Sequence, residues 1–281
     1  MVEGEIVCYR CRENQNRRSQ WWQPKPLDVS FATYDRIGSK RKFGVEIETY
    51  RCPQREELQS HTPFGCKDDC TVGGCEFDSP IMYGDEGLDH IVDFLAMANE
   101  RDWEVDRHCG CHIHLDLRDE SRDQLFHIAY AYAFTNKVWR RCVPRNMQDR
   151  PYCRPPNYRA ADVKAGYDAG TEYERYGYSV DRYYHINLSA YGDHRTIEVR
   201  LLEGTLDAEV LCNWVTVHCR FIDAVKDLTF SNMRRLFNHP ARRKFRSFVE
   251  LIGDTDLTDW VADRARYIGT RPLRGPRLHS S

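Results

Sequence analysis

The chain has 281 residues, of which 41% are hydrophobic and 30% charged, and its net charge is −2. This is a globular composition, long enough for one large domain or two small ones, and the charge leaves no global field to draw it to nucleic acid or membrane. The apolar runs are too short to cross a bilayer, and the acidic Met1-Val2-Glu3-Gly4-Glu5 lacks an apolar signal region, so a cytoplasmic protein is expected whose 12 cysteines are mostly thiols or metal ligands.

Residues 1–40 read as a polar lead-in segment containing Trp21-Trp22, Pro24 and Pro26. The first strand spans 42–50, where Phe43, Val45 and Ile47 alternate with Glu46 and Glu48. Residues 51–74 look like loop, followed by a short strand, Gly74-Cys75-Glu76-Phe77-Asp78, that ends at Ser79-Pro80. Leu88, Ile91, Val92, Leu95 and Ala98 predict a helix over 87–100. A strand over 110–117 sets Ile113, Leu115 and Leu117 against His112, His114 and Asp116. Ser121 suits the cap of a helix over about 122–142, with Leu125, Ile128, Ala129 and Tyr132 inward.

Residues 143–181, rich in proline, arginine and tyrosine, read as a long functional loop at the substrate end of a cleft, with Arg154 and Tyr158 as candidate contacts. Strands 182–190 and 195–202 predict a hairpin across Tyr191-Gly192-Asp193, with Ile197, Val199 and Leu201 opposing Glu198 and Arg200. Thr205 starts a third helix over about 206–227, with Val210, Trp214, Val217, Phe221 and Val225 inward. Residues 41–230 are then the main domain, and 231–281 a basic, helical, peripheral extension. This order is an α+β layered design in which helices cover the apolar strand face and the ionisable face lines a cavity.

An isolated Glu-x-Glu, His-x-His or Glu-x-Arg is most often solvated surface, core or a cross-strand ion pair. Their conjunction changes the reading. Carboxylates converging on one face repel and desolvate one another, so they need cations. Oxygen ligands with a histidine or two suit Mg²⁺ or Mn²⁺. A neighbouring arginine suits a phosphate through its planar fork.

The ordered set Gly44-Val45-Glu46-Ile47-Glu48, Glu76 before Ser79-Pro80, Gly110-Cys111-His112-Ile113-His114 and Thr196-Ile197-Glu198-Val199-Arg200 resembles the amidoligase family. The runs Arg182–Leu188 and Glu203–Asp207 are similar to it as well, and the resemblance covers about 41–228. That family sits with glutamine synthetase and glutamate–cysteine ligase among carboxylate–amine ligases. The resemblance implies a glutamine-synthetase-like curved antiparallel sheet with helices on its convex face. It implies ATP-dependent amide or isopeptide formation through an acyl phosphate, acting on an amino acid, peptide or protein, with ADP and phosphate as products. By the same resemblance Glu46, Glu48, Glu76, His112 and Glu198 are metal ligands, while Arg200, Arg182 and His114 contact phosphate or substrate. No counterpart is found for the flap glutamate that glutamine synthetase uses around ammonium, which argues against free ammonia as the amine. Asp69 and Asp116 are the candidate acceptors of the amine proton.

Cys8-Tyr9-Arg10-Cys11 has the spacing of half a structural Zn²⁺ site, with Cys66 and Cys70, or Cys52 and His61, as the second half; free thiols are the blander reading. Arg234, Arg235, Arg242, Arg243, Lys244 and Arg246 read first as a solvated helix face and second as a nucleic-acid surface. The competing functions are a guanidino-type phosphotransferase of related fold and a non-enzymatic module binding zinc and nucleic acid.

Overall fold

Alternation of apolar and ionisable residues produces six strands among the residues described by this computed structural model, which are 24–25, 27, 33–69, 72–148 and 150–270. They are β1 (Phe43–Thr49), β2 (Gly65–Asp69), β3 (Gly74–Asp78), β4 (Gly110–Asp116), β5 (Ile186–Asn187) and β6 (Thr196–Glu203). They pair antiparallel in the order β2-β3-β1-β4-β6-β5. Gly74 permits the closest backbone approach in this sheet, since a methyl there would lie 1.8 Å from the Thr49 carbonyl oxygen.

Nine α-helices accompany the sheet among the described residues: α1 (Gly84–Glu100), α2 (Arg122–Trp139), α3 (Ala160–Asp168), α4 (Tyr173–Tyr178), α5 (Ala190–His194), α6 (Ala208–Val225), α7 (Phe230–Phe237), α8 (Ala241–Ile252) and α9 (Thr255–Thr270). Val45, Ile47, Phe77, Ile113, Leu115, Ile197 and Val199 from the strands join Ile91, Leu95, Ile128, Tyr132, Trp214 and Phe221 from α1, α2 and α6 in one buried core. The protein is therefore mixed helix and antiparallel sheet, α+β. The Ser121 cap forms as expected: its hydroxyl accepts from Gln124 N–H at 3.3 Å, and Gln124 Oε1 accepts from Ser121 N–H at 2.8 Å.

Several expectations need correction. Part of the 51–74 loop is β2, a strand held by its register with β3 despite carrying Lys67, Asp68 and Asp69. Val92 is 40% exposed, at the edge of the α1 stripe. The 143–181 segment holds a 3₁₀ turn (Arg145–Met147), α3 and α4 rather than continuous loop. The predicted hairpin contracts to Ile186 and Asn187 pairing with Val199 and Glu198, and α5 replaces its turn. Two side chains divert the backbone there: Asp181 accepts from Tyr183 N–H at 2.8 Å and Asn187 accepts from Ser189 N–H at 3.0 Å. The third helix starts later than Thr205, because Asp207 accepts from the Glu209 and Val210 N–H groups at 2.9 and 3.3 Å.

Of the candidate zinc ligands, Cys52 forms a disulfide with Cys75, Cys66 is a buried thiol, and His61 Nδ1 lies 2.7 Å from the Glu57 carbonyl. Cys8, Cys11 and Cys70 lie outside the described residues. The C-terminal helices are tied to the rest of the fold: Met233, Phe237 and Phe248 are buried in the common core, and Arg264 donates to Glu203 of β6 and, at 2.7 Å, to the Cys142 carbonyl. No helix among the described residues is long and apolar enough to cross a membrane.

Candidate active site

The polar face of the sheet is set by register. Glu46 lies across from His112 on one side and Asp78 on the other. Glu48 lies across from Glu76, and Glu76 across from Lys67. Glu198 lies across from His114 and Asn187. Even-numbered residues of β1, β3 and β4, and of β6 as far as Glu198, thus share a face, with odd-numbered Lys67 and Asp69 joining from β2. A bulge between β4 and β6, where the register shifts between Cys111 and Ile113, adjusts the end of this face. It also buries Leu201 and Leu202 together, where strict alternation sends only one inward.

Glu46 is the hub. Its Oε2 lies 3.0 Å from His112 Nδ1 and its Oε1 lies 3.0 Å from His114 Nε2. His114 Nδ1 is 3.0 Å from Thr196 Oγ1, which fixes the ring from behind. Gly110 N–H donates to Glu48 Oε2 at 2.7 Å, and a side chain at Gly110 would place its first carbon 3.2 Å from His112 Nε2. Asn187 donates to Glu198 Oε2 at 2.7 Å, leaving Oε1 to the guanidinium of Arg200. Arg200 Nε donates to the Tyr152 carbonyl at 3.2 Å.

Among the described residues, six carboxylates (Glu46, Glu48, Asp69, Glu76, Asp78 and Glu198) share this face with the fixed cations Lys67 and Arg200, and the positive charge of Arg150 also acts on Glu48. Burial works to raise the pKa of Glu46, but its bonds with His112 and His114 outweigh burial and hold it well below the usual carboxylate range. Burial raises Glu48. Burial, then the charge of Glu46, push Glu76 up to about 9. Burial opposes the positive charges of His114 and Arg200, yet Glu46 for the first and Glu198 for the second hold both pKa values up.

Among the described residues, three groups of donor atoms lie within 4.8 Å of one another: Glu46–His112–Glu198, Glu46–Glu76–Asp78 and Glu48–Asp69–Glu76. Carboxylate oxygens with one imidazole are the donor set of Mg²⁺ and Mn²⁺. All five expected metal ligands occur in these groups. Asp69 and Asp78 join them, although neither was expected as a ligand. Asp78 shows the same alternation as Glu46 and Glu48, through Glu76-Phe77-Asp78. Asp69 lies in the strand that reads as loop, and Asn187 in the two-residue strand.

Arg200 and His114 stand on this face. Arg182 has another neighbour: it is exposed, its guanidinium 5.3 Å from the Tyr183 ring. Asp116 accepts from Arg118 at 2.9 Å at the end of β4. From the 143–181 segment, Arg154 pairs with Asp181, and Tyr158 is only 9% exposed and packs 5.9 Å from Tyr184. Tyr152 and Cys153 of that segment reach Arg200: the Tyr152 carbonyl accepts from its Nε, and the Cys153 thiol donates to its carbonyl at 3.1 Å. Arg150 donates to the Cys109 carbonyl at 3.2 Å and to that of His108, beside Gly110.

A family model described as "Putative amidoligase enzyme" matches residues 51–222. The chain belongs to this family. The matched stretch carries Glu76, His112, His114, Glu198 and Arg200; Glu46 and Glu48 lie just ahead of it and are brought in by the pairing of β1 with β3 and β4. No curated protein matches the chain. Among solved structures it is similar to a bifunctional glutathione synthetase from Pasteurella multocida, with 10% identity and a TM-score of 0.44 over 82% of this chain and 47% of that one. The chain therefore spans about half the length of that protein.

Proposed function

We propose that this amidoligase is an ATP-dependent carboxylate–amine ligase that forms an amide or isopeptide bond through an acyl phosphate. The observation that carries the reading is the convergence of three overlapping metal-donor groups on one sheet face, beside the half-buried Arg200. A glutamine-synthetase-like sheet with the ionisable face as its active site belongs to this proposal, as do ATP and Mg²⁺ or Mn²⁺, an amino acid, peptide or protein substrate, and the cytoplasm as its location.

A carboxylate resists amines because oxide is a poor leaving group. Phosphoryl transfer from ATP removes that obstacle. Glu46, His112 and Glu198 would hold one metal ion, and Glu48, Asp69 and Glu76 a second. Bound metal supplies positive charge against the phosphates of ATP. Arg200, held by Glu198 and the Tyr152 carbonyl, has further N–H donors for the oxygens of the transferred phosphoryl group. The Gly110 N–H orients Glu48, and Asn187 orients Glu198, so both carboxylates are positioned before substrate arrives. An unprotonated amine then attacks the acyl phosphate, and phosphate leaves.

The test is ADP release with Mg²⁺ and ATP against pools of acids and amines. ADP formation that needs both an acid and an amine, and that is lost in Glu198→Gln, is expected. ADP formation on a guanidino acceptor with no amide product would favour the phosphotransferase instead.

A further inference from the structure

Lys67 projects into the acidic face from β2, directly across from Glu76. Its Nζ contacts Glu76 Oε1 and lies 3.0 and 3.2 Å from the two carboxylate oxygens of Asp78. The lysine side chain is 26% exposed. Glu76 and Asp78 are two of the three residues in the Glu46–Glu76–Asp78 donor group. The ammonium therefore sits on carboxylates that a metal ion would need there.

We propose that Lys67 is a built-in counter-ion that closes the Glu46–Glu76–Asp78 group to divalent metal and thereby sets the number of ions this site takes. The proposal rests on the metal-site reading above. An ion in that group would need carboxylate oxygens at about 2.1 Å, and the ammonium already shares those carboxylates. Placing both there sets a +2 charge against a +1 charge within contact distance. The lysine cannot diffuse away, because β2 is registered to β3 from Gly65↔Asp78 to Asp69↔Gly74. Glu46–His112–Glu198 contains no ion-pair partner of Lys67, and Glu48–Asp69–Glu76 shares only Glu76 with it. The Glu46–Glu76–Asp78 group thus carries a positive charge supplied by the chain itself, which chelators cannot strip.

The experiment is a Mn²⁺ titration of the full, metal-stripped chain, with free Mn²⁺ read by electron paramagnetic resonance, in the wild type, Lys67→Met and Lys67→Arg. Lys67→Met should bind one more ion per chain than the wild type, and Lys67→Arg, which keeps the charge, should bind the wild-type number. An equal count in Lys67→Met and wild type, or an extra ion in Lys67→Arg, would overturn the proposal. Lys67→Gln serves in place of Lys67→Met if circular dichroism shows that the methionine variant misfolds. Ion counting is independent of the ligase assay. A one-ion difference without ADP release would remove the ligase reading alone, and ADP release with equal ion counts would remove the Lys67 role alone.

Discussion

Arg200 and Glu198 show how one residue step changes a prediction. Glu198 is held on both oxygens, by Asn187 and by Arg200, so the arginine is oriented by partners on two sides. A lysine at 200 keeps the charge and loses the planar fork that binds Glu198 and the Tyr152 carbonyl together and that, on the proposed reading, would also reach a phosphoryl oxygen. Arg200→Lys should therefore lose turnover almost as severely as Arg200→Ala, by about 100-fold or more; near-normal kcat in the lysine variant would reduce Arg200 to an ion-pair partner. Glu76 makes a second residue-scale prediction. Its carboxyl is pushed up to about 9 in the metal-free chain, and a carboxyl must lose its proton to bind metal. Below that pH each ion bound at Glu76 displaces a proton, so Mn²⁺ affinity should rise with pH until about 9 and then level off. Calorimetry in two buffers of different protonation enthalpy reads that release directly, and equal heats in both would contradict it.

Elements here are fastened by carboxylates whose role is not visible in any pattern. Asp85, in the first turn of α1, accepts from the backbone N–H groups of Asp35 and Ile37 at 2.9 Å each and of Arg36 at 3.1 Å. Burial works to raise its pKa, but those bonds, Ile37 first, outweigh it and hold the pKa down. The stability it contributes is therefore complete above the ordinary aspartate value of about 3.9 and is lost as pH falls through the lower folded value. Asp85→Asn should destabilise the fold by about 2 kcal/mol at neutral pH, and the difference in Tm from the wild type should shrink in acid. A gap unchanged at low pH would mean that the anion is not the source. The strands that carry the candidate ligands, by contrast, were legible: β1, β3 and β4 carry their alternation within five to seven residues. What was hidden depends on partners distant in sequence. β2 is a strand only because β3 pairs with it, and its Lys67-Asp68-Asp69 disfavours the assignment locally. β5 is two residues long because Asp181 and Asn187 turn the chain on either side, and the bulge opposite His112 is a property of two strands together.

The whole molecule is held by one apolar core that includes its C-terminal helices. Phe248 of α8 packs edge-on to Trp139 of α2 with ring centres 4.6 Å apart, and Met233, Phe237, Ile252 and Val261 are buried with it. Each such side chain contributes about 1.5–3 kcal/mol on burial, so losing five of them approaches the typical total margin of a fold, about 5–15 kcal/mol. Ending the chain after residue 229 should yield aggregated protein; a soluble fragment with a cooperative melt would make the C-terminal part the separate extension that its composition suggests. The ligase reading depends on the chemistry at the face that this core supports, and isotope transfer tests it most directly. With a productive acid–amine pair, Mg²⁺ and ATP, a carboxylate substrate labelled with ¹⁸O should pass one labelled oxygen to inorganic phosphate for each amide formed. Label appearing in AMP, or amide formed with unlabelled phosphate, would contradict the acyl-phosphate route and the roles assigned to Arg200 and the metal-donor groups.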